Sequence, residues 1–502
     1  MTPASPKSTR WATGLALGGA LLPLAFGTYV PSVDLPGHSA IASVIVQLAG
    51  TGGPATDFYQ LRFSESPYYL GYLYLSGAIA ALGVEWGIRA VVAIYAVATT
   101  LGLAALFRQL GAPSWAVLCS PLIVYSRVFV FGFVATFVGI PWVLWGLWSL
   151  LRWDEDRRGR FLAVAAVCGL LATLSHVFLL VVWAGFVLAF VLGRGRQGVV
   201  PAVGVVGFAS LPLVPTLWEW LLGSGAGKTF LPFFGASWAQ VVDYVVDVGG
   251  GVEVVLHAGL VGVAGISVGV LVWRLGSRIL VSERRADRYA RMGIASLLIQ
   301  GAIYVVAPLT LRIGNATATN VNWRFLVFVE VALYLVAWSG LSAGRFRNTV
   351  GIVQATTSTV FVVVFAIFTV RFNEAMIELD TVLSQVERGR ILSVAKVPYD
   401  FGIPGYAPPV LDHAPEYYLA RGGGFVTGIW PDAHVPIGAR RRFLGQHRVR
   451  SDGRGGVEPL WIGQADYMLI VDGSSTEPIP PPGDGVRVAS TPRWSLYRNV
   501  RH

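Results

Sequence analysis

FLAVAAVCGLLATLSHVFLLVVWAGFVLAFVL, residues 161–192, is a long apolar run that contains no Asp, Glu, Lys or Arg. A helix needs roughly 20 apolar residues to cross the hydrocarbon core of a bilayer. This run of 32 residues is therefore too long for one crossing. The tripeptide LSH (174–176) lies near its middle. We predict two short helices that meet at an outer turn beside His176.

The composition of the whole chain agrees with a membrane location. Of its 502 residues, 54% are hydrophobic and 13% are charged, whereas about 25% are charged in ordinary soluble domains. Further apolar runs predict a mostly α, polytopic membrane protein of about 11 transmembrane helices. Cys119 and Cys168 both lie inside apolar runs, so neither a disulfide nor a metal site is indicated.

The arginine-rich loops orient the chain. Cytoplasmic loops of membrane proteins carry an excess of Lys and Arg, and the net charge of +10 is concentrated in such loops, so no nucleic-acid partner is expected. The basic loops are residues 151–161, 193–198, 273–292 and 344–348. If these loops and the N-terminus are cytoplasmic, loop 31–66 and the tail after residue 370 are extracytoplasmic.

The number of crossings requires one apolar stretch to remain at the membrane surface. Residues 67–84 carry several tyrosines, which suit an interfacial helix. With this helix at the outer surface, residues 1–370 are predicted to form the transmembrane domain. The predicted crossings are 11–30, 88–107, 114–126, 129–150, the two halves of 161–192, 198–222, 254–273, 292–310, 325–343 and 350–370.

The tail, residues 371–502, is predicted to form a small extracytoplasmic α+β domain. YMLIVDG (467–473) and RWSLYRN (493–499) alternate in the manner of strands. LDHAPEYYLARGGG (411–424) combines His413, Glu416 and Arg421. We interpret this segment as the ordinary surface of a folded domain, with contact to a glycan or lipid headgroup as the alternative.

Loop 31–66 contains the densest group of candidate functional residues. VPSVDLPGHSA (30–40) places Asp34 four residues before His38, and an amphipathic stretch is expected at about 38–49. Asp34 could act as a general base or orient a metal. The alternative is that Asp34 caps the following helix and His38 is simply exposed. TDFYQLRFSESPYY (56–69) adds three candidate substrate-binding residues: Asp57, Arg62 and Glu65.

Three further residues are candidates for binding a lipid-linked phosphate. His176 is a costly residue within apolar runs, although a buried histidine that is satisfied by hydrogen bonds is the alternative. Arg324, in TATNVNWRFL (317–326), could hold a phosphate or anchor its helix at the interface. Lys228, in GSGAGKT (223–229), could attract an anionic headgroup. That segment is not a phosphate-binding loop, because Leu222 stands where the motif requires glycine.

The order of these features resembles the GT-C superfamily of membrane glycosyltransferases. VDLPGH (33–38) and SESPYYLGYLYL (64–75) are similar to the acidic motif and the juxtamembrane helix of its outer loop. WGIRAVVAIYAVATTLGLAALFRQLG (86–111) looks like the second span of that superfamily. The resemblance implies inverting transfer of a sugar from a polyprenyl-phosphate donor to a glycan, lipid or protein acceptor. It also implies that Asp34 is the base that activates the acceptor.

The resemblance places the protein in a bacterial cytoplasmic membrane, in contact with membrane lipid and assembling a cell-surface glycan or glycolipid. No cofactor is certain, and a divalent cation is possible. Two alternatives remain at this point. One is a transporter or flippase for a lipid-linked sugar, in which the same residues only bind the substrate. The other is a non-catalytic membrane assembly protein.

Overall fold

The computed structural model of the chain describes residues 6–61, 69–214, 230–233, 285–307, 310–313, 316–319, 323–340, 345–395, 410–426, 437–439, 450–451, 457–458, 465–471 and 485–500. The chain forms two compact units, which are described separately. Unit one comprises Met1–Ala25, Ala93–Phe129 and Ala135–Phe365. Unit two comprises Phe26–Val92, Val130–Val134 and Ala366–His502.

Helices dominate the described residues. In chain order they are α1 (Pro6–Leu21), α2 (Leu35–Val46), α3 (Ala55–Phe58), α4 (Tyr69–Leu82), α5 (Val84–Gln109), α6 (Ser120–Val124), α7 (Arg127–Val130), α8 (Val134–Asp156), α9 (Gly159–Ser175), α10 (Phe178–Arg194), α11 (Val199–Ala209), α12 (Arg285–Val306), α13 (Trp323–Gly340), α14 (Arg345–Leu383) and α15 (Tyr417–Ala420).

Five of the described helices are long and apolar enough to cross a membrane by length and composition. They are Val84–Gln109, Val134–Asp156, Phe178–Ala209, Asp287–Val306 and Gly351–Leu383. These helices confirm the predicted mostly α, polytopic fold. The total of about 11 crossings stays a prediction, because 254–273 lies outside the described residues.

Unit one contains the predicted division of the run 161–192. α9 ends at Ser175 and α10 begins at Phe178, so the break falls at His176 as predicted. The two helices pack around Trp183, whose side chain is fully buried. A Cβ atom at Gly169 would lie 2.3 Å from the Trp183 Nε1 atom, and one at Gly146 would lie 2.7 Å from its ring. Glycine at both positions therefore makes room for the indole.

Several predicted helix ends are wrong. α1 ends at Leu21 and a short 3₁₀ turn, Leu22–Ala25, follows it, so the first helix does not reach residue 30. The stretch 114–126 is a 3₁₀ turn followed by the short helix α6. α14 continues to Leu383 rather than ending at 370. At 1.5 Å per residue, its 39 residues span about 58 Å, well beyond a hydrocarbon core of about 30 Å.

In unit two, α2 is buried almost all round rather than amphipathic. Its residues from Leu35 to Ile45 are buried except His38, which is half-buried. Both α4 and α15 pack against this helix, so it has little surface left for solvent. The predicted amphipathic stretch at 38–49 is therefore wrong. α4, within the predicted interfacial segment 67–84, has 14 residues and is too short to cross a bilayer.

The tail contains the predicted α+β structure. Its strands form a five-stranded mixed sheet in the order β11 (Gly485–Ser490), β12 (Trp494–Asn499), β10 (Tyr467–Val471), β5 (Arg390–Ala395) and β6 (Gly424–Val426). β10 is antiparallel to β12 and parallel to β5. The buried residues Tyr467, Met468 and Ile470 show that this central strand is covered on both faces.

Three smaller groups of strands complete the described part of the chain. β1 (Tyr59–Leu61), which follows α3, pairs antiparallel with β7 (Ile437–Ala439) of the tail. The segment 31–61 and the tail are thus joined through backbone hydrogen bonds. The remaining strands are β2 (Phe230–Phe233), β3 (Thr310–Ile313) and β4 (Ala316–Thr319) in one sheet, and β8 (Arg450–Ser451) paired with β9 (Val457–Glu458).

Candidate functional site

The backbone at Asp34 is fixed by a neighbouring turn of unit two. The backbone N–H groups of Val33 and Asp34 donate to the Val130 and Phe131 carbonyl oxygens at 2.9 and 3.1 Å. The turn continues through Gly132, which has a φ of +77°. Only glycine adopts this conformation without strain. The turn therefore holds the start of α2, and with it Asp34, in one position.

Asp34 occupies the N-cap position of α2 but its side chain makes no capping hydrogen bond. Instead, its Oδ1 atom lies 3.6 Å from the Nε2 atom of His413. The alternative prediction, that the Asp34 side chain caps α2, is therefore wrong. The carboxylate is half-buried, with 21% of its side chain exposed, and faces the imidazole of the tail.

His413 is held by a second carboxylate. Its Nδ1 atom lies 2.6 Å from Oε1 of Glu416, and the Glu416 side chain is only 3% exposed. An ionised carboxylate only accepts hydrogen bonds, so Nδ1–H is the donor. On the other side of the ring, Asp412 Oδ2 lies 3.6 Å from Nε2. One imidazole is thus surrounded by the carboxylates of Asp34, Asp412 and Glu416.

His38 lies one helical turn after Asp34 on α2. Its Nδ1 atom is 2.8 Å from the hydroxyl of Tyr72 on α4. The Ser76 hydroxyl, one turn further along α4, donates to the Ala42 carbonyl at 3.2 Å. His38 is therefore oriented by α4 rather than simply exposed, and positions i and i+4 of a helix share one face.

A second ionic network of unit two centres on Arg421. Its Nε atom donates to Glu85 at 2.7 Å and Nη1 donates to Asp380 at 2.8 Å. Tyr29 donates to Asp380 and accepts from Arg421. Burial raises the pKa of the Tyr29 hydroxyl well above its usual value, and the hydrogen bond to Asp380 adds to the rise. Burial alone would lower the pKa of Arg421, but its partners Asp380, Tyr29 and Glu85 together raise it above the usual value.

This network borders a cavity of about 620 Å³. Small-molecule sites typically occupy about 300–1,000 Å³. The lining combines apolar side chains with carboxylates, a mixture that can contact both a sugar ring and its hydroxyl groups. The apolar residues include Phe26, Trp86 and Ile377, and the acidic residues are Glu85, Glu374 and Asp380.

Unit one contains the other predicted pair of functional residues. His176 is fully buried between α9 and α10, and its Nδ1 atom lies 3.1 Å from the Phe178 backbone nitrogen. Its Nε2 atom lies 2.9 Å from Nη1 of Arg324, at the start of α13. A guanidinium only donates, so Nε2 is the acceptor of this contact. The buried imidazole therefore fixes the guanidinium of Arg324, whose remaining N–H groups can donate to an anionic oxygen.

The other predicted site residues are distributed differently. Asp57 lies in α3 and is exposed. Arg62, Glu65 and Lys228 lie outside the described residues. Within the described ranges, no group of three or more His, Cys, Asp or Glu side chains could hold a metal ion. A divalent cation therefore stays a prediction.

Sequence reasoning missed the roles of three tail residues, His413, Glu416 and Arg421, which it assigned to an ordinary surface. The one local signal was the density of ionisable groups in LDHAPEYYLARGGG (411–424). Nothing in that segment indicated that His413 would face Asp34, because their contact joins distant parts of the sequence.

Comparisons with known proteins identify the fold. No protein-family model and no curated protein matches the sequence. The structure is similar to the crystal structure of ArnT from Cupriavidus metallidurans bound to undecaprenyl phosphate. The TM-score is 0.53, the sequence identity is 12%, and the match covers 99% of each chain. ArnT is a GT-C glycosyltransferase. The comparison confirms the predicted resemblance, and the chain has a GT-C-like polytopic membrane fold.

Proposed function

We propose that the protein is a glycosyltransferase that moves a sugar from a polyprenyl-phosphate donor to an acceptor at the outer face of a bacterial cytoplasmic membrane. The observation that carries this function is the position of Asp34. Its carboxylate stands at the start of a buried helix, makes no capping hydrogen bond and faces His413. The fold shared with ArnT, which was crystallised with undecaprenyl phosphate, supports the class of donor.

Asp34 acts as the general base. In an inverting transfer, the acceptor hydroxyl attacks the anomeric carbon of the donor sugar while Asp34 takes the hydroxyl proton. The bond from the anomeric carbon to the phosphate oxygen breaks, and polyprenyl phosphate leaves with the bonding electron pair. A base that is positioned in this way typically contributes about 10²- to 10⁴-fold to the rate. His38, on the same face of α2, lies close enough along the helix to orient the acceptor.

His176 and Arg324 bind the phosphate of the donor. The imidazole of His176 accepts from Arg324 and fixes the guanidinium at the start of α13. Phosphate oxygens accept from the remaining N–H groups of Arg324, whose planar fork matches their geometry.

The cavity of unit two provides a binding site for the acceptor. Its volume of about 620 Å³ accommodates a saccharide unit or a lipid headgroup. Carboxylates such as Glu374 accept hydrogen bonds from hydroxyl groups, while Trp86 offers an apolar surface to a sugar ring. Asp57, Arg62, Glu65 and Lys228 remain candidates for contact with the substrates.

The decisive experiment measures sugar transfer from radiolabelled polyprenyl-phosphate sugars to membrane extract by the purified protein and by Asp34→Asn. We expect transfer by the wild-type protein and a loss of about 10²- to 10⁴-fold in the variant, with unchanged thermal unfolding. Equal transfer by both proteins would remove Asp34 from the chemistry. Binding of the donor without transfer in either protein would favour a transporter of lipid-linked sugar.

Binding of undecaprenyl phosphate tests the phosphate site separately. Arg324→Lys keeps the charge but loses the planar fork, so we expect weaker binding. Arg291→Gln is the matched control, because Arg291 of the same unit donates to the Gly193 carbonyl. Unchanged binding by Arg324→Lys and by His176→Gln would exclude these residues from the phosphate site.

A further inference from the structure

His413 lies at the centre of the carboxylate group that surrounds the proposed base. Glu416 and Asp412 approach the ring from the tail, and Asp34 approaches it from the start of α2. Tyr59 of β1 lies near enough to Glu416 that the carboxylate charge adds to the effect of burial and raises the pKa of this tyrosine. The remaining titratable residue of α2, His38, is engaged with Tyr72.

The geometry favours the doubly protonated form of His413 over the neutral form. Glu416 accepts from Nδ1–H at 2.6 Å, so the opposite nitrogen, Nε2, points to Asp34 and Asp412. A neutral ring would direct the lone pair of Nε2 toward two carboxylates, which is repulsive. An imidazolium donates from both nitrogens and carries the charge that balances its neighbours.

We propose that His413 is a positioning residue: as an imidazolium held by Glu416, it orients the carboxylate of Asp34 and keeps it ionised for proton abstraction. This role rests on the proposed function of Asp34. The imidazolium itself does not receive the proton of the acceptor, since its two N–H groups are already in place.

The burial of Glu416 fits this role. A carboxylate that is 3% exposed loses most of its hydration, and a close cationic partner offsets that cost. If His413 had only a structural role, its ion pairs with Asp34 and Glu416 would join the tail to α2 in the same way. The structural role and the positioning role differ in the pH dependence of transfer. Only in the positioning role does the protonation of His413 change the rate of transfer.

The experiment compares the pH profiles of transfer by the full-length protein, His413→Gln, His413→Lys and Glu416→Gln. We expect wild-type transfer to fall as pH rises and His413 loses its proton. His413→Gln should lower kcat about 10- to 100-fold with little change in KM, and its profile should lack that fall. His413→Lys should restore part of the rate and move the fall to higher pH. Glu387→Gln, which removes an exposed carboxylate of the same tail paired with Arg390, is the matched control.

Two results would overturn the proposal. In the first, His413→Gln transfers sugar at the wild-type rate and with the wild-type pH profile. In the second, the transfer rate of the wild-type protein rises with pH and His413→Lys is inactive. The second result would identify a neutral His413 that accepts the proton.

Nuclear magnetic resonance of ¹⁵N-histidine-labelled protein in detergent provides a readout that does not need turnover. We expect both ring nitrogens of His413 to be protonated at neutral pH in the wild-type protein and to lose this state more readily in Glu416→Gln. A neutral ring at that pH overturns the positioning role even if transfer is observed. If His413 is an imidazolium but the wild-type protein transfers no sugar, the result refutes the proposed enzymatic function and not the protonation state of His413. If Glu416→Gln does not fold, the spectrum of Asp34→Asn supplies the same comparison.

Discussion

Gly132 offers a way to displace the proposed base without changing any chemical group of the site. A Cβ atom at this position would lie 2.6 Å from the backbone nitrogens of Asp34 and Leu35. Carbon atoms pack best at about 3.5–4.0 Å from their neighbours, so Gly132→Ala requires the start of α2 to move by about 1 Å. A displacement of about 1 Å can lower an enzymatic rate about 100-fold.

The same substitution also strains the backbone, which requires a control for stability. Gly132 has a φ of +77°, and an alanine in this region costs about 1–2 kcal/mol. Gly83, between α4 and α5, has a φ of +78° and no atom within 4 Å of an added Cβ. Gly83→Ala therefore carries the same backbone strain without the contact at Asp34.

The assays are thermal unfolding in detergent and sugar transfer by both variants. We expect both to be destabilised by about 1–2 kcal/mol, with an additional loss for Gly132→Ala from the steric contact. Transfer should fall about 100-fold in Gly132→Ala only. Equal transfer by the two variants would refute the inference that the turn at Gly132 positions Asp34.

Two further predictions concern the polar residues of unit two. Arg421→Gln leaves Asp380 and Glu85 without their cation and should lower the free energy of unfolding by about 1–2 kcal/mol, a value reduced for the 33% exposure of the arginine. The more exposed Arg390→Gln should lower it by less, because solvent screens the ion pair of Arg390 with Glu387. Equal losses in thermal unfolding of the two variants would contradict a stabilising role of the half-buried Arg421 network. Tyr59 has a raised pKa in the folded state because of burial, so its contribution to stability is present below pH about 10 and is lost as pH rises through the pKa of the folded state. Between pH 10 and 11 the free energy of unfolding of the wild-type protein should fall by up to about 1.4 kcal/mol more than that of Tyr59→Phe. Denaturant unfolding at the two pH values measures this difference. If Tyr59 were solvated, the free energy of unfolding would fall by the same amount in both proteins.

The local pattern of the sequence was sufficient to predict most of the helices, but it was not sufficient to predict the contacts around Asp34. The length of 161–192 and the central LSH predicted the break at His176, because both signals lie within one segment. The alternation in RWSLYRN (493–499) likewise predicted β12. Such patterns report which segments are apolar and how their side chains alternate.

The contacts of the candidate site depend on tertiary structure instead. α2 could not be recognised as buried almost all round, because the residues that cover it come from α4 and from the tail. The same reason explains why His413 and Arg421 were assigned to a surface. Their partners Asp34, Glu85 and Asp380 come from distant parts of the sequence, and no local periodicity encodes such pairs. The early end of α1 was missed because LPLAFG (22–27) is as apolar as the helix before it.

The pairing of the segment 31–61 with the tail has a consequence for the synthesis of the protein. Tyr29 and its partner Arg421 are 392 residues apart in the sequence. Likewise, β1 can pair only after β7 has been synthesised. At about 5–20 residues per second, a ribosome needs roughly 20–80 s to make the intervening chain. The segment that carries Asp34 is therefore among the first to leave the ribosome and one of the last to acquire its partners. A chain that terminates before residue 413 lacks both His413 and Arg421, so it cannot complete the centre around Asp34.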